Sequence, residues 1–300
     1  MTLQQLHYAI VISESGSMNK AAEILYIAQP SLTSAIKELE KETAITIFNR
    51  SGKGVTLTAD GVEFISYARQ VYQQYEILQE RYTHNIKKKF GVSAQHYSFA
   101  VQAFVEMVKQ FNTCDYEFAI RETKTSEVIE DVVTMKSEIG VLYLSDFNRQ
   151  TMTRIFQMQS LEFHTLIECG IYAYLSKNHP LAKNESVTFG ELKEFPCLTF
   201  EQGDKSSFYF AEEIFSTNDY ARVIKACDRS TMLNLMKGLD GYTFCSGIIC
   251  DDLNGSDYTA VPIAEDNSIM EIGYITKKNV ILSKMGERYI EELKNYLSQS

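Results

Sequence analysis

The side chains of this chain that could do chemistry gather in a few short stretches, and the sets differ in kind. Ser31, Thr33, Ser34 and Lys37, with Gln29 just ahead of them, are short hydrogen-bonding groups plus one cation. Such a set suits base edges and phosphates better than bond-making. Arg50 and Lys53 flank the glycine-rich tip Arg50-Ser51-Gly52-Lys53-Gly54 and offer two charges to a nucleic-acid backbone. Further on, Gln95, His96, Tyr97 and Ser98 open a helix after a strand-like run, where backbone N–H groups can hold an anionic or zwitterionic small molecule. Thr199 and Glu201, then Asp228, Arg229, Ser230 and Thr231, occupy matching positions after two later strands. Arg229 reads either as a fork for a carboxylate or sulfate, or as an ion pair with Asp228 or a nearby acid.

Catalytic patterns are missing. There is no G-x-S-x-G, phosphate-binding G-x-x-x-x-G-K, G-x-G-x-x-G or H-E-x-x-H run, and the five histidines (His7, His84, His96, His164, His179) lack ligand spacing. The six cysteines are scattered without a C-x-x-C pair, which excludes a zinc ladder and suits a reducing cytoplasm. Cys245 and Cys250 stand five apart and read either as an oxidant-sensing pair or as small buried residues; no cation neighbours them. Neither an enzyme, a metal site nor a cofactor is expected.

The elements that must position these groups are legible in the periodicity. From Gly16 to Glu40 the chain reads as two short helices with a tight connection. In the second, Leu32, Ala35, Ile36 and Leu39 form one apolar stripe, the polar residues named above take the opposite face, and Pro30 sits in the first turn. Ser17 is a suitable N-cap for the first, whose Ala21, Ala22 and Leu25 let a partner helix approach closely. This is a helix-turn-helix, unless the pair is an ordinary bundle hairpin. Residues 3–13 supply a helix behind it. A short hairpin follows, with Ile45, Ile47 and Phe48 before the basic tip and Val55-Thr56-Leu57 after it, as the wing of a winged helix-turn-helix. From Thr58 to about Lys87, Phe64, Ala68, Val71, Tyr75, Leu78 and Tyr82 trace a heptad seam. A helix of that length, about 45 Å, exceeds what a small head can cover, so a second copy is expected to bury the seam.

Charge qualifies this picture. The chain of 300 residues carries a net charge of −10, but residues 1–90 hold ten Lys/Arg against nine Asp/Glu. The acidity lies beyond the head, and phosphate contact must come from a few placed cations and helix N-termini. No apolar run is long enough to span a membrane, and the N-terminus MTLQQLHYAIVISESGS has no basic leader.

The first ninety residues resemble the LysR-type transcriptional regulators. The pattern runs Gly16-Ser17-Met18, Ala21-Ala22, Leu25, Gln29-Pro30-Ser31-Leu32-Thr33, Ile36, Leu39-Glu40, Phe48, Arg50 and Leu57-Thr58 with Gly61. The family often has arginine where Ser34 stands and a second cation where Glu38 stands, so this chain has fewer bidentate donors for bases. The resemblance implies a double-stranded DNA site read by a homodimer that assembles into a homotetramer. It implies contact with RNA polymerase if the protein is an activator. It also implies a two-lobed effector domain, similar to periplasmic binding proteins, with effector contacts on the turn at Gln95–Ser98.

Beyond residue 90, strands and helices alternate. FGVSAQ, YEFAIRET and EIGVLYL with two intervening helices make a βαβαβ run and a mostly parallel sheet. A second α/β set spans ECGIYAYLS to YTFCSGII, and EIGYITK with MGERYIEELKNYL returns to the first. The expected division is a winged helix-turn-helix over 1–58, a dimerisation helix over 59–89 and an effector domain over 90–300. Its first lobe takes about 90–165 and 267–300, and its second about 166–266. The function expected is a cytoplasmic, effector-modulated transcriptional regulator. The alternative is a ligand-binding receptor, or an oxidant sensor acting without an organic effector.

Overall fold

The computed structural model describes residues 1–51, 54–82, 88–111, 115–203, 208–215, 218–250, 253, 255–264 and 268–298, and for 51, 77 and 80–82 the backbone alone. These fall into two compact units, Met1–Ile86 and Lys87–Ser300.

In the first unit, α1 (Leu3–Ser15), α2 (Met18–Ile24) and α3 (Gln29–Thr43) pack on one another. Leu32, Ile36 and Leu39 of α3 are fully buried against Ala9 and Ile12 of α1 and Ala21 and Ala22 of α2. On α1, Leu6, Ala9, Ile10, Val11 and Ile12 are buried, whereas Leu3 at its start is exposed. Gly16 ends α1 in the left-handed region at φ 61°, where glycine carries no Cβ penalty. Its carbonyl accepts the Val55 amide at 2.9 Å, tying the hairpin β1 (Phe48–Ser51) and β2 (Gly54–Leu57) to the helix pair. Glu40 does the same from α3: one carboxylate oxygen accepts the amides of Ile47 at 2.8 Å and Phe48 at 3.1 Å.

Helix α4 (Ala59–Tyr82) starts where Thr58 Oγ1 accepts the Gly61 amide at 2.8 Å. Its N-terminal half packs on α1 through Phe64, Ala68 and Tyr72, with the His7 and Tyr72 rings stacked at 4.8 Å. On the same helix, Val71 and Leu78 of the heptad seam are half exposed.

The second unit holds two sheet layers, one a five-stranded sheet and the other a three-stranded sheet bridged to a separate parallel pair. Strands β3 (Lys88–Ala94), β4 (Tyr116–Glu122), β5 (Ile139–Leu144), β6 (Leu161–Cys169) and β12 (Met270–Lys277) form the order β4-β3-β5-β12-β6. The first three are parallel, as expected from their crossovers. The sheet as a whole is mixed, because β12 runs antiparallel to both β5 and β6. Helix α5 (Ser98–Lys109) and the last helix, α10 (Lys284–Leu297), cover one face, where Tyr289 donates to the Ala100 carbonyl at 3.1 Å. Helices α6 (Thr125–Val133) and α7 (Arg149–Met158) cover the other. The start of α10 is fixed by buried Glu138, which accepts the Ser283 amide at 2.6 Å and the Ser283 hydroxyl at 2.8 Å.

The chain leaves this sheet after Cys169 and returns at Met270. Between them, β7 (Tyr172–Ser176) is flanked by β10 (Thr243–Cys245) and β11 (Tyr258–Pro262), both antiparallel to it. The parallel pair β8 (Cys197–Phe200) and β9 (Val223–Ala226) joins them, the Leu198 amide donating to the Tyr242 carbonyl at 2.7 Å. The short helix α8 (Phe189–Leu192) precedes β8, and α9 (Arg229–Leu239) packs Met232 and Met236 onto this sheet.

One position sets how α4 meets the hairpin. A Cβ at Gly61 would lie 2.1 Å from the Ile47 carbonyl oxygen, which no side chain can approach. Gly61→Ala is therefore expected to destabilise the first unit by more than about 2 kcal/mol, read as a fall in its urea midpoint. An unchanged midpoint would mean that α4 does not pack there.

Candidate functional site

The first candidate surface is the outward face of α3 with the hairpin beside it. The apolar stripe of α3 faces inward, so the residues between its turns must face out. Gln29, Ser31, Ser34 and Lys37 are exposed, while Thr33 is half-buried and accepts from Gln29 Nε2 at 2.9 Å. The helix opens on Ala28, whose side chain supplies no cap. Arg50 is exposed on β1, paired across the hairpin with Val55. Lys53 lies outside the described residues. This surface combines short polar groups, a helix N-terminus and two separated cations, a pattern for phosphate and base-edge contact.

The second candidate is a cleft between the two sheets of Lys87–Ser300, enclosing a cavity of about 90 Å³. Its wall is built around an irregular segment, Ala211–Phe215. The carboxylate of Glu212 reaches across to the turn after β3, accepting the His96 amide at 3.1 Å and facing His96 Nδ1 at 2.8 Å. Its other oxygen accepts from Gln202 Nε2 at 2.8 Å, and Gln202 Oε1 in turn accepts the Thr125 amide at 3.1 Å. The His96 ring lies flat on Phe200, the centroids 3.8 Å apart and the planes 4° from parallel. Tyr143 of β5 donates to the Ala211 carbonyl at 3.0 Å. A second bridge pairs Arg229, at the start of α9, with Glu122 at the end of β4. Burial draws the Arg229 guanidinium down to about 10, which leaves it cationic at neutral pH.

Of the residues expected at an effector site, His96, Tyr97, Ser98 and Arg229 line this cavity. The others are placed elsewhere. Gln95 is buried beneath the turn, donating to Thr125 Oγ1 at 2.6 Å and accepting the Tyr143 amide at 3.1 Å, so its side chain is committed to holding β3, β5 and α6 together. Thr199 is half-buried in β8, and Glu201 accepts from the exposed Cys227 thiol at 3.2 Å. Asp228 caps α9 through the Thr231 amide at 2.8 Å, and Ser230 is exposed in the same turn. Arg229 satisfies the ion-pair reading, with Glu122 as the acid.

Sequence reasoning missed Glu212, Glu213 and Thr243, which line the cavity. The available signal was the stretch Phe208-Tyr209-Phe210-Ala211-Glu212-Glu213-Ile214-Phe215, where two adjacent acids interrupt an aromatic run. Glu213 is almost fully buried, its Oε1 accepting the Phe200 amide at 2.8 Å. Burial, reinforced by the neighbouring Glu212 charge, pushes its carboxyl up to about 8. The described thiols show no activation for oxidant sensing: burial pushes Cys245 up to about 12 and Cys169 to about 11. Cys250 is buried, and Cys114 lies outside the described residues.

Comparison with known proteins identifies the whole arrangement. Residues 3–62 match the bacterial regulatory helix-turn-helix proteins of the lysR family. Residues 98–298 match the LysR substrate binding domain. The chain belongs to the LysR family. As a LysR-family protein it is a helix-turn-helix transcriptional regulator whose DNA binding is joined to a small-molecule-binding domain. The helix-turn-helix-type transcriptional regulator YbhD of Escherichia coli is 24% identical over 300 residues, covering 98% of this chain and 91% of the relative. AlsR of Bacillus subtilis, also a transcriptional regulator of this type, is 29% identical over 66% of this chain and 64% of its own length. Among solved structures, a cysteine-to-aspartate form of full-length OxyR from Pseudomonas aeruginosa shares the fold. Its TM-score is 0.69 at 17% identity, over 99% of this chain and 94% of that one. Full-length CbnR in complex with its target DNA gives a TM-score of 0.56 at 17% identity, over 99% and 100%. Members of the LysR family act as transcriptional regulators, not as enzymes, and no described helix of this one is long and apolar enough to cross a membrane.

The raised Glu213 carboxyl carries a stability signature. A carboxyl that titrates near 4.5 when unfolded and near 8 when folded binds its proton in the native state across that window. Native stability then falls as pH rises from about 4.5 to about 8. Glu213→Gln removes this dependence. The variant should gain on the order of 4 kcal/mol relative to wild type between pH 5 and pH 8.5 in urea unfolding. A difference that stays constant with pH would show that Glu213 is not held protonated.

Proposed function

We propose that this regulator reads double-stranded DNA with α3 in the major groove. Ser31, Thr33, Ser34 and Lys37 face the base edges and nearby phosphates, and Gln29 sits at the helix start. Arg50 and Lys53 of the wing touch backbone or minor groove. The observation that best supports this reading is that the exposed polar face of α3 and the hairpin bearing Arg50 are pinned to one core through Glu40 and Gly16. With few cations in the head, affinity rests on a small number of placed contacts, and its salt dependence is correspondingly modest.

Residues 1–58 serve as the DNA-binding head, 59–89 as the dimerisation helix and 90–300 as the effector domain, with the cleft as its effector site. Two copies pair through the α4 face that carries Val71 and Leu78, both half exposed in the single chain. Dimers assemble into tetramers, so that an effector which changes the cleft changes the spacing of two heads on DNA. The protein works in the cytoplasm without enzymatic activity, and as an activator it would also contact RNA polymerase. The effector acts through a difference in its affinity for two states of the cleft.

Footprinting of the purified protein on its own upstream DNA at two salt concentrations tests this. Two protected half-sites on one face of the duplex are expected. Lys37→Ala with Arg50→Ala should weaken binding and lower the salt slope by about one for each phosphate left without its cation. Unchanged affinity and slope in the double variant would remove the docking assignment.

A further inference from the structure

The charges around the cleft narrow the chemistry of what it holds. Two cationic types line the described cavity, and each already faces a carboxylate: His96 meets Glu212, and Arg229 meets Glu122. An anionic ligand would have to displace one of these acids and would also lie beside Glu213. Among the described residues, the ionisable groups set around Glu213 are Glu212 on its own segment, Tyr97 after β3, Tyr143 on β5, Cys197 on β8 and Tyr220 before β9. None of these is a cation. A buried acid without a cation either stays protonated or waits for a positive partner. A separate acceptor is available in the same wall. The Thr243 hydroxyl, on a residue 6% exposed, lines the cavity and meets no hydrogen-bond partner among the described residues. The remaining wall is mostly apolar and aromatic, including Phe200, Met232, Phe244 and Met270.

We propose that the cleft takes a compact monoamine, its ammonium facing the Glu212 and Glu213 carboxyls with Thr243 Oγ1 as a further acceptor, and its apolar body against Met232, Phe244 and Met270. This rests on the effector-site reading above and supplies the ligand class for it. The ammonium replaces the missing counter-charge. Binding ionises Glu213, so one proton leaves its carboxyl for solvent as the ammonium arrives. That release is close to one proton per site at pH 7 and has largely faded by pH 9, because the free carboxyl titrates near 8.

The test is isothermal titration calorimetry of the full-length protein with 3-methylbutylamine, 3-methylbutanoate and 3-methylbutanol. It is run at pH 7 and pH 9 in buffers of different ionisation enthalpy. The amine should bind at least about tenfold tighter than either analogue, with proton release at pH 7. Glu213→Gln keeps an acceptor for the Phe200 amide but cannot ionise, and should weaken the amine at least about tenfold and abolish proton release. Thr243→Val, close in shape, should weaken it several-fold; thermal melts confirm that both variants are folded. Preferred binding of the carboxylate or alcohol, no binding of the amine, or unchanged amine binding by Glu213→Gln would each overturn the proposal. Footprinting with the same compounds separates the two claims. A carboxylate that binds and alters protection leaves the effector site standing and removes the amine, whereas an amine that binds without altering protection does the reverse.

Discussion

The cleft depends on the burial of two adjacent carboxyl groups in a segment with no regular structure. Ala211–Phe215 supplies a carbonyl to Tyr143 of β5, one carboxylate to the turn after β3 and to Gln202, and a second carboxyl to the Phe200 amide of β8. Elements from both sheets therefore end their polar groups on five residues. Backbone N–H groups at strand ends must find acceptors, and here they find side-chain acids instead of a neighbouring strand. The arrangement leaves Glu212 bridged and Glu213 buried with no cation beside it among the described residues, so the same feature that closes the cleft sets its electrostatic character.

The first unit uses the same kind of device for a different end. Glu40 accepts two amides at the start of the hairpin, and the Gly16 carbonyl accepts one on its return strand. With Gly61 lying flat on the Ile47 carbonyl, these contacts fix the hairpin relative to α3. The polar face of α3 thus has a rigid backing, while Gln29, Ser31, Ser34 and Lys37 on it remain exposed and Gln29 donates to Thr33. Rigid backing is what lets a few contacts discriminate sequence.

Much of this was legible in the sequence, and the reasons differ by region. The apolar stripe Leu32-Ile36-Leu39 and the small pair Ala21-Ala22 gave the helix pair, and the alternating βαβαβ pattern gave β3, α5, β4, α6 and β5 in order. Strand β6 was not seen because Glu162, His164 and Glu168 break its apolar run on the sheet edge. Helix α7 buries only Met152 and Phe156, too few for a clear period. The cleft was half legible. His96, Tyr97, Ser98 and Arg229 follow from their places after strands or at a helix start. Gln95 and Asp228 occupy equivalent places but spend their side chains on backbone and neighbouring groups. Glu212 and Glu213 had no periodic signature, since their roles come from contacts made far away in sequence.

We propose that the state of the cleft governs how the head engages DNA. It is tested most directly by measuring operator affinity and footprint for Glu212→Gln, which weakens the bridge to His96 without touching the head. A change in affinity of about fivefold or more, or a shift in the protected pattern, is expected in a protein whose melt shows it folded. Identical affinity and protection would contradict it, leaving the head and the cleft as independent binding sites on one chain.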